Sequence, residues 1–363
     1  MNDEILYGLY SSSLFYVVVY ILTFVAHFAG VSYVVGGVIY LAWRQLISRQ
    51  VSNLDTGISL LIRDWMPFAL SAAITLGVAP LLFVQVIYPK HFYTGNLLMG
   101  WRWMLIIPAL IVGFYLLYLI KSKFFEKASR GPRMVILATT SLCFLFVGAG
   151  WSSNHALMEI ETSWPHIYFD ISTIDTVLPS MLIRMAIWLG GMLLTFPMLI
   201  AWQIRWTGDV LGEEMGRTVK GLLWTVRSGV VLAAIGLGVM NLPIVLKEWP
   251  HMNEWLFRRV LETSIVTGLL YWVYWESVRV LPAPASRLSL LSFVWLVGAL
   301  TGGVAREINR IILIDLKYNQ KWMDDAAGSG GFWTFLIFVA INVFLVRYCI
   351  LLVVRRLKEP VQR

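Results

Sequence analysis

The sequence predicts an all-α integral membrane protein, a single bundle of about nine transmembrane helices spanning residues 1–363. Three observations carry that expectation. The first is composition: of 363 residues, 58% are hydrophobic and only 14% charged, against roughly 25% charged in an ordinary soluble domain. Such a chain cannot be wrapped in a polar surface, and its low charge per residue also excludes disorder. The second is a series of apolar stretches long enough for a bilayer, which needs about 20 residues per helix. The third is the distribution of Lys and Arg between successive connections.

Taken in order, the expected spans are 14–43, 66–88, 97–120, 134–154, 178–202, 222–246, 256–276, 288–314 and 332–354. The segment 44–65 reads as an amphipathic surface stretch through Leu46, Ile47, Leu54, Ile58 and Leu61, and 155–177 as the longest loop. Alternate connections carry 17 and 4 Lys+Arg residues, which places the N-terminus outside and the C-terminus in the cytoplasm. The outer connections hold 11 acidic residues. Four of them, Glu159, Glu161, Asp170 and Asp175, share one loop with Trp164, Ile167, Tyr168 and Phe169, a composition suited to docking a basic partner. Met1-Asn2-Asp3-Glu4 lacks the basic start of a cleaved signal peptide. Cys143 and Cys349 both lie in apolar runs, which argues against a disulfide or Cys-based metal site. Gly36-Gly37, Gly190-Gly191 and Gly302-Gly303 suit close helix contact.

Ionisable groups at membrane depth are costly and mark partners, pathways or cofactors. Here they are His27, Arg184, Arg227, Arg258, Arg259, Glu262, Arg306, Glu307, Arg310 and Arg347. Arg184, Glu262, Glu307 and Arg310 fall in the outer half, and His27 near mid-depth. One imidazole, two carboxylates and several guanidiniums suggest a haem pocket, since neutral His binds iron and Arg can hold propionates. The same residues also admit a plainer reading: a hydrogen-bonded interhelical His27 and a structural ion pair at Glu307. Arg258 and Arg259 are placed to snorkel to the interface, as are Arg227 and Arg347. His91, His155, His166 and His251 fall at or beyond the outer boundary as loop residues, with His155 the best placed of the four for a cofactor. No nucleotide-binding, haem-attachment or Ser–His–Asp motif is present, and no nucleic-acid partner is expected.

Phe24-Val-Ala-His27-Phe28, Val304-Ala-Arg-Glu307-Ile-Asn-Arg310, Tyr93-Thr-Gly95-Asn96-Leu97 and Trp255-Leu-Phe257-Arg258 together resemble subunit I of the cytochrome bd quinol oxidases. The resemblance implies His27 and Glu307 as ligands of high-spin haems, with Arg310 and Arg184 near propionates. It sets Met185 or Ile183, and Val260, where the family ligates its low-spin haem with His and Met, so that haem is expected to be absent or differently ligated. The chain also departs from the family elsewhere. Residues 104–118 contain no carboxylate, 247–256 replaces a long quinol-binding loop, and Ile-Ile-Leu follows Arg310. The implied function is therefore a bd-like, haem-binding membrane subunit of a bacterial inner-membrane electron-transfer complex, without quinol:oxygen oxidase activity. It would exchange electrons with other membrane or periplasmic redox subunits such as a c-type cytochrome. The alternatives are a haem-free anchor for such a complex and, behind it, a transporter.

Overall fold

The computed structural model describes residues 11–47, 57–170, 174–175, 177–207, 215–240, 255–278, 281–314 and 331–358. Of these residues 95% are helical, with no strand among them. In chain order the helices are α1 (Ser11–Ile47), α2 (Gly57–Ile87), α3 (Pro89–Met99), α4 (Trp101–Met104), α5 (Ile106–Lys121), α6 (Lys123–Lys127) and α7 (Arg130–Met158). They continue with α8 (Trp164–Phe169), α9 (Leu178–Thr207), α10 (Met215–Met240), α11 (Trp255–Ser277), α12 (Ala285–Leu313) and α13 (Gly331–Lys358). Expectations that fall on Met1–Asp3, the 247–254 connection, His251 and the 315–330 connection lie outside the described residues.

Seven segments among the described residues are long and apolar enough to cross a membrane: α1, α2, α4 with α5, α7, α9, α10 and α12. The protein is therefore an all-α, multi-pass membrane protein in contact with lipid. Helices α11 and α13 coincide with the two remaining expected spans; α11 does not reach that threshold, and in α13 the described apolar stretch is Leu336–Cys349. For α11 the reason is visible in its sequence, where Arg258, Arg259, Glu262 and Glu276 interrupt the apolar run.

Two boundaries differ from expectation. The third apolar stretch is broken at Gly100, whose φ of 53° lies in the left-handed region that glycine adopts without strain. Its amide closes α3 by donating to the Asn96 and Leu97 carbonyls. Residues 57–65 are not a surface stretch but the first turns of α2, with Ile58, Ser59, Ile62 and Arg63 all fully buried. Sequence pattern misses this because Arg63 looks like a solvated charge. In the fold its Nε donates to the Ile120 carbonyl at 2.9 Å, its Nη2 reaches Glu126 at 3.4 Å, and its guanidinium lies 5.0 Å from the Phe125 ring. Arg133 meets the same ring at 5.1 Å.

The long helix α1 runs through the middle, packed on α2, α7, α9 and α12. Close approach is set by small residues. A Cβ on Gly190 of α9 would stand 2.7 Å from both the Gly229 carbonyl and the Ala233 amide of α10. Gly37 meets Ile62 and Met66 of α2, and Gly303 of α12 meets Ile21 of α1. In lipid, where apolar burial gives helices little reason to associate, such backbone contact supplies the packing.

Candidate functional site

Several elements bring a group of polar residues together at one end of the bundle. Arg306, Glu307, Asn309 and Arg310 occupy one turn of α12, and the spacing of three and four residues stacks Arg306, Asn309 and Arg310 on neighbouring faces. Helix α1 contributes Tyr20 and Phe24, and the end of α7 contributes His155. Tyr88 follows directly after α2.

Glu307 is 1% exposed. One carboxylate oxygen accepts from Arg306 Nε at 3.0 Å and Nη2 at 2.9 Å, and the other from Arg310 Nη1 at 3.2 Å and the Tyr88 hydroxyl at 3.1 Å. Tyr20 Oη accepts from both guanidiniums, at 2.6 Å from Arg306 and 3.3 Å from Arg310. Arg310, fully buried, also donates through Nη2 to His155 Nδ1. A guanidinium can only donate, so that imidazole accepts and is uncharged. Next to this group Arg184 of α9 pairs with Glu159. Asn309 Nδ2 lies 3.5 Å from the other oxygen of Glu159. Aromatic rings line the cluster: Arg306 sits 3.8 Å from the Phe24 centroid, and Trp188 packs edge-on to His155 at 5.6 Å.

Beside the cluster lies a cavity of about 370 Å³ between α1, α9, α10, α11 and α12. Its wall is apolar apart from a few groups: Arg184, Arg306 and Asn309 toward one end, and Thr195, Ser264, Thr267 and Tyr271 further along. No family model, curated protein or solved structure matches this chain.

Of the residues expected to form a site, the fold unites Glu307, Arg310, His155 and Arg184. It sets the other three apart. His27 faces α2, where its Nδ1 is 2.8 Å from the Ala73 carbonyl and its ring fills the space a side chain on Gly77 would need. Met185 turns toward Gly148 of α7. Glu262 stays on the exposed side of α11, paired with Arg258 at 3.1 Å and Arg259 at 3.0 Å. Those two arginines are thus ion-paired where simple snorkelling was expected. Arg227 likewise forms a bidentate pair with Glu276, both bonds 2.7 Å.

Two histidines expected in solvated loops are interior. His91 is 2% exposed because the chain after α7 folds back as a short 3-10 turn and α8 onto α3, and His155 is 3% exposed against Arg310 of α12 and Trp188 of α9. The acids of the 155–177 segment are not a free array either. Glu159 is buried against Arg184, and Glu161 pairs with Lys90 and with His91 at 3.1 Å. Asp175 lies 3.9 Å from Arg102. Of the loop's aromatic and aliphatic residues, Ile167 is buried and the Trp164 indole donates to the Leu157 carbonyl, while Tyr168 and Phe169 are exposed. Outside the spans, burial pushes the His91 imidazole below its usual range against the pull of Glu161. The Lys90 ammonium holds the Glu161 carboxyl down.

The hydrogen bonding suits an iron ligand at His27 and not at Glu307. A ligating imidazole donates its second N–H to a carbonyl or carboxylate, which fixes its tautomer. His27 has that partner in Ala73 and keeps the Nε2 lone pair for iron. Glu307 has both oxygens engaged by two guanidiniums and a tyrosine. No group of three or more His, Cys, Asp or Glu residues suited to a metal ion occurs among the described residues.

Proposed function

We propose that this chain is a bd-like membrane subunit of a respiratory electron-transfer complex in a bacterial inner membrane. In this reading it has nine spans, with its N-terminus outside, and carries a single haem on His27. The observation that carries the reading is the His27–Ala73 hydrogen bond, 2.8 Å between Nδ1 and the carbonyl oxygen, beside a glycine that leaves room for the ring. A haem bound there supplies one-electron iron chemistry. The chain's own part is to fix the Nδ1–H tautomer, to present Nε2, and to keep the imidazole neutral in an apolar helix contact. The exposed Tyr168 and Phe169 offer the outer redox partner an aromatic contact. Pyridine-haemochrome assay of the complex purified with its native partners tests the count. One haem assigned to this chain supports the reading, and none removes it.

The haem-free anchor is the second reading, favoured by one specific observation. The carboxylate matched by resemblance to a haem ligand is locked in an ion-pair network, and the cavity wall contains no imidazole. Under it, the network serves to hold α1, α2, α7 and α12 together at the outer end.

A further inference from the structure

The buried cluster carries a charge excess. Arg306 and Arg310 share the single carboxylate of Glu307, and His155 is uncharged, so among the described residues these two guanidiniums exceed their carboxylate by one positive charge. An uncompensated charge in a low-dielectric interior is costly. Two buried guanidinium N–H groups also have no partner: Arg306 Nη1 and Arg310 Nε. Arg306 forms part of the cavity wall. From this cationic end the cavity runs along α12 toward Trp295, 11 residues away, or about 16 Å at the helical rise. Beyond the few hydroxyls its wall is apolar, and its volume is at the lower end of the ~300–1,000 Å³ of small-molecule sites. Ile265 and Leu269, both in the wall, are 39% and 46% exposed on α11, which opens the cavity sideways toward lipid.

We infer that this cavity binds an anionic amphiphile, a single acyl chain lying against α11 and α12 with its carboxylate or phosphate held by Arg306. An anion there cancels the excess charge and takes up the free Nη1 donor, while the chain fills the apolar length. A neutral head does only the second. Membrane phospholipid and free fatty acid share this chemistry, and the inference stands whether or not His27 holds a haem.

The test uses the full chain, delipidated in detergent, with radiolabelled palmitate and with hexadecanol as the uncharged chain of equal length. Gly268→Phe adds a ring at the cavity wall, at a position where a Cβ meets nothing within 4 Å. Arg306→Gln removes the head contact. The expected result is one saturable palmitate per chain, with hexadecanol about tenfold or more weaker, since its hydroxyl accepts from Arg306 without the charge that makes the carboxylate contact about twice as strong. Both variants should weaken palmitate to a similar degree. Should Arg306→Gln fail to fold, Gly268→Phe decides. Displacement of bound palmitate by dioleoylphosphatidylglycerol would make membrane phospholipid the source, and failure to displace it would leave the free acid. Equal binding of palmitate and hexadecanol overturns the proposal, as does palmitate binding unchanged by Gly268→Phe.

Discussion

Removing the Glu307 carboxylate strands two guanidiniums, one of them fully buried, and this is where single side chains matter most in the bundle. Breaking a buried pair by deleting one partner costs about 3–5 kcal/mol. Glu307→Ala should therefore lower the unfolding free energy in detergent by that amount. Glu262→Ala breaks two pairs on the exposed surface of α11 and, in detergent, should change it by less than about 1 kcal/mol. Equal effects from the two would refute the distinction between them. Outside the spans, His91 and Glu161 tie α3 to the turn before α8 and both have lowered folded pKa values. A depressed folded pKa means the unfolded state binds protons first, so the tie is intact at neutral pH. It weakens as pH falls below the ordinary His range and then through the folded Glu161 value. Amide exchange over 155–170 should accelerate on going from pH 7.5 to 5, and a Glu161→Gln variant, lacking the carboxylate that pulls the His91 value up, should show a larger response over the same range. The charged members of the cluster were visible in the sequence because an Arg or Glu amid apolar residues is conspicuous. Tyr20 and Tyr88 were not, since a tyrosine hydroxyl gives no sign of its partner 219 or 290 residues away, and Glu159 was legible only as a loop acid.

Helix positions were largely legible, because spanning a bilayer imposes a length and a composition that few other segments meet. What pattern could not supply was the local break at Gly100 and the early start of α2. The latter depends on Arg63 finding Ile120, Glu126 and Phe125 from a distant segment. Glycine pairs were legible as contacts but not as to which helix they meet. The α9–α10 contact gives a test at this scale. Gly190→Ala places a methyl within 2.7 Å of backbone on α10 and should destabilise by about 1–3 kcal/mol, as overpacking does. Gly238→Ala, on the same α10, meets nothing within 4 Å and should be neutral or stabilising by up to about 1 kcal/mol. Paired thermal unfolding curves in one detergent check both.

For the molecule as a whole, orientation rests on the 17-to-4 division of Lys and Arg. With Cys143 and Cys349 replaced, a cysteine at Tyr168 should react with an impermeant thiol reagent in intact cells. One at Ser129 should react only after the membrane is opened. The reverse pattern would invert the protein and remove the outer redox partner from the reading. The candidate site was half legible. Resemblance singled out His27 and Glu307 together, and the fold separates them, one against Ala73 on α2 and the other inside an ion-pair network. The most direct measurement of the central claim is the reduced-minus-oxidised absorption spectrum of the complex purified with its native partners, comparing wild type, His27→Ala and His155→Ala. The account predicts a haem band that disappears in His27→Ala and persists in His155→Ala, in protein that remains inserted and folded. A band unaffected by His27→Ala, or a wild-type complex in which this chain carries no haem, would contradict it.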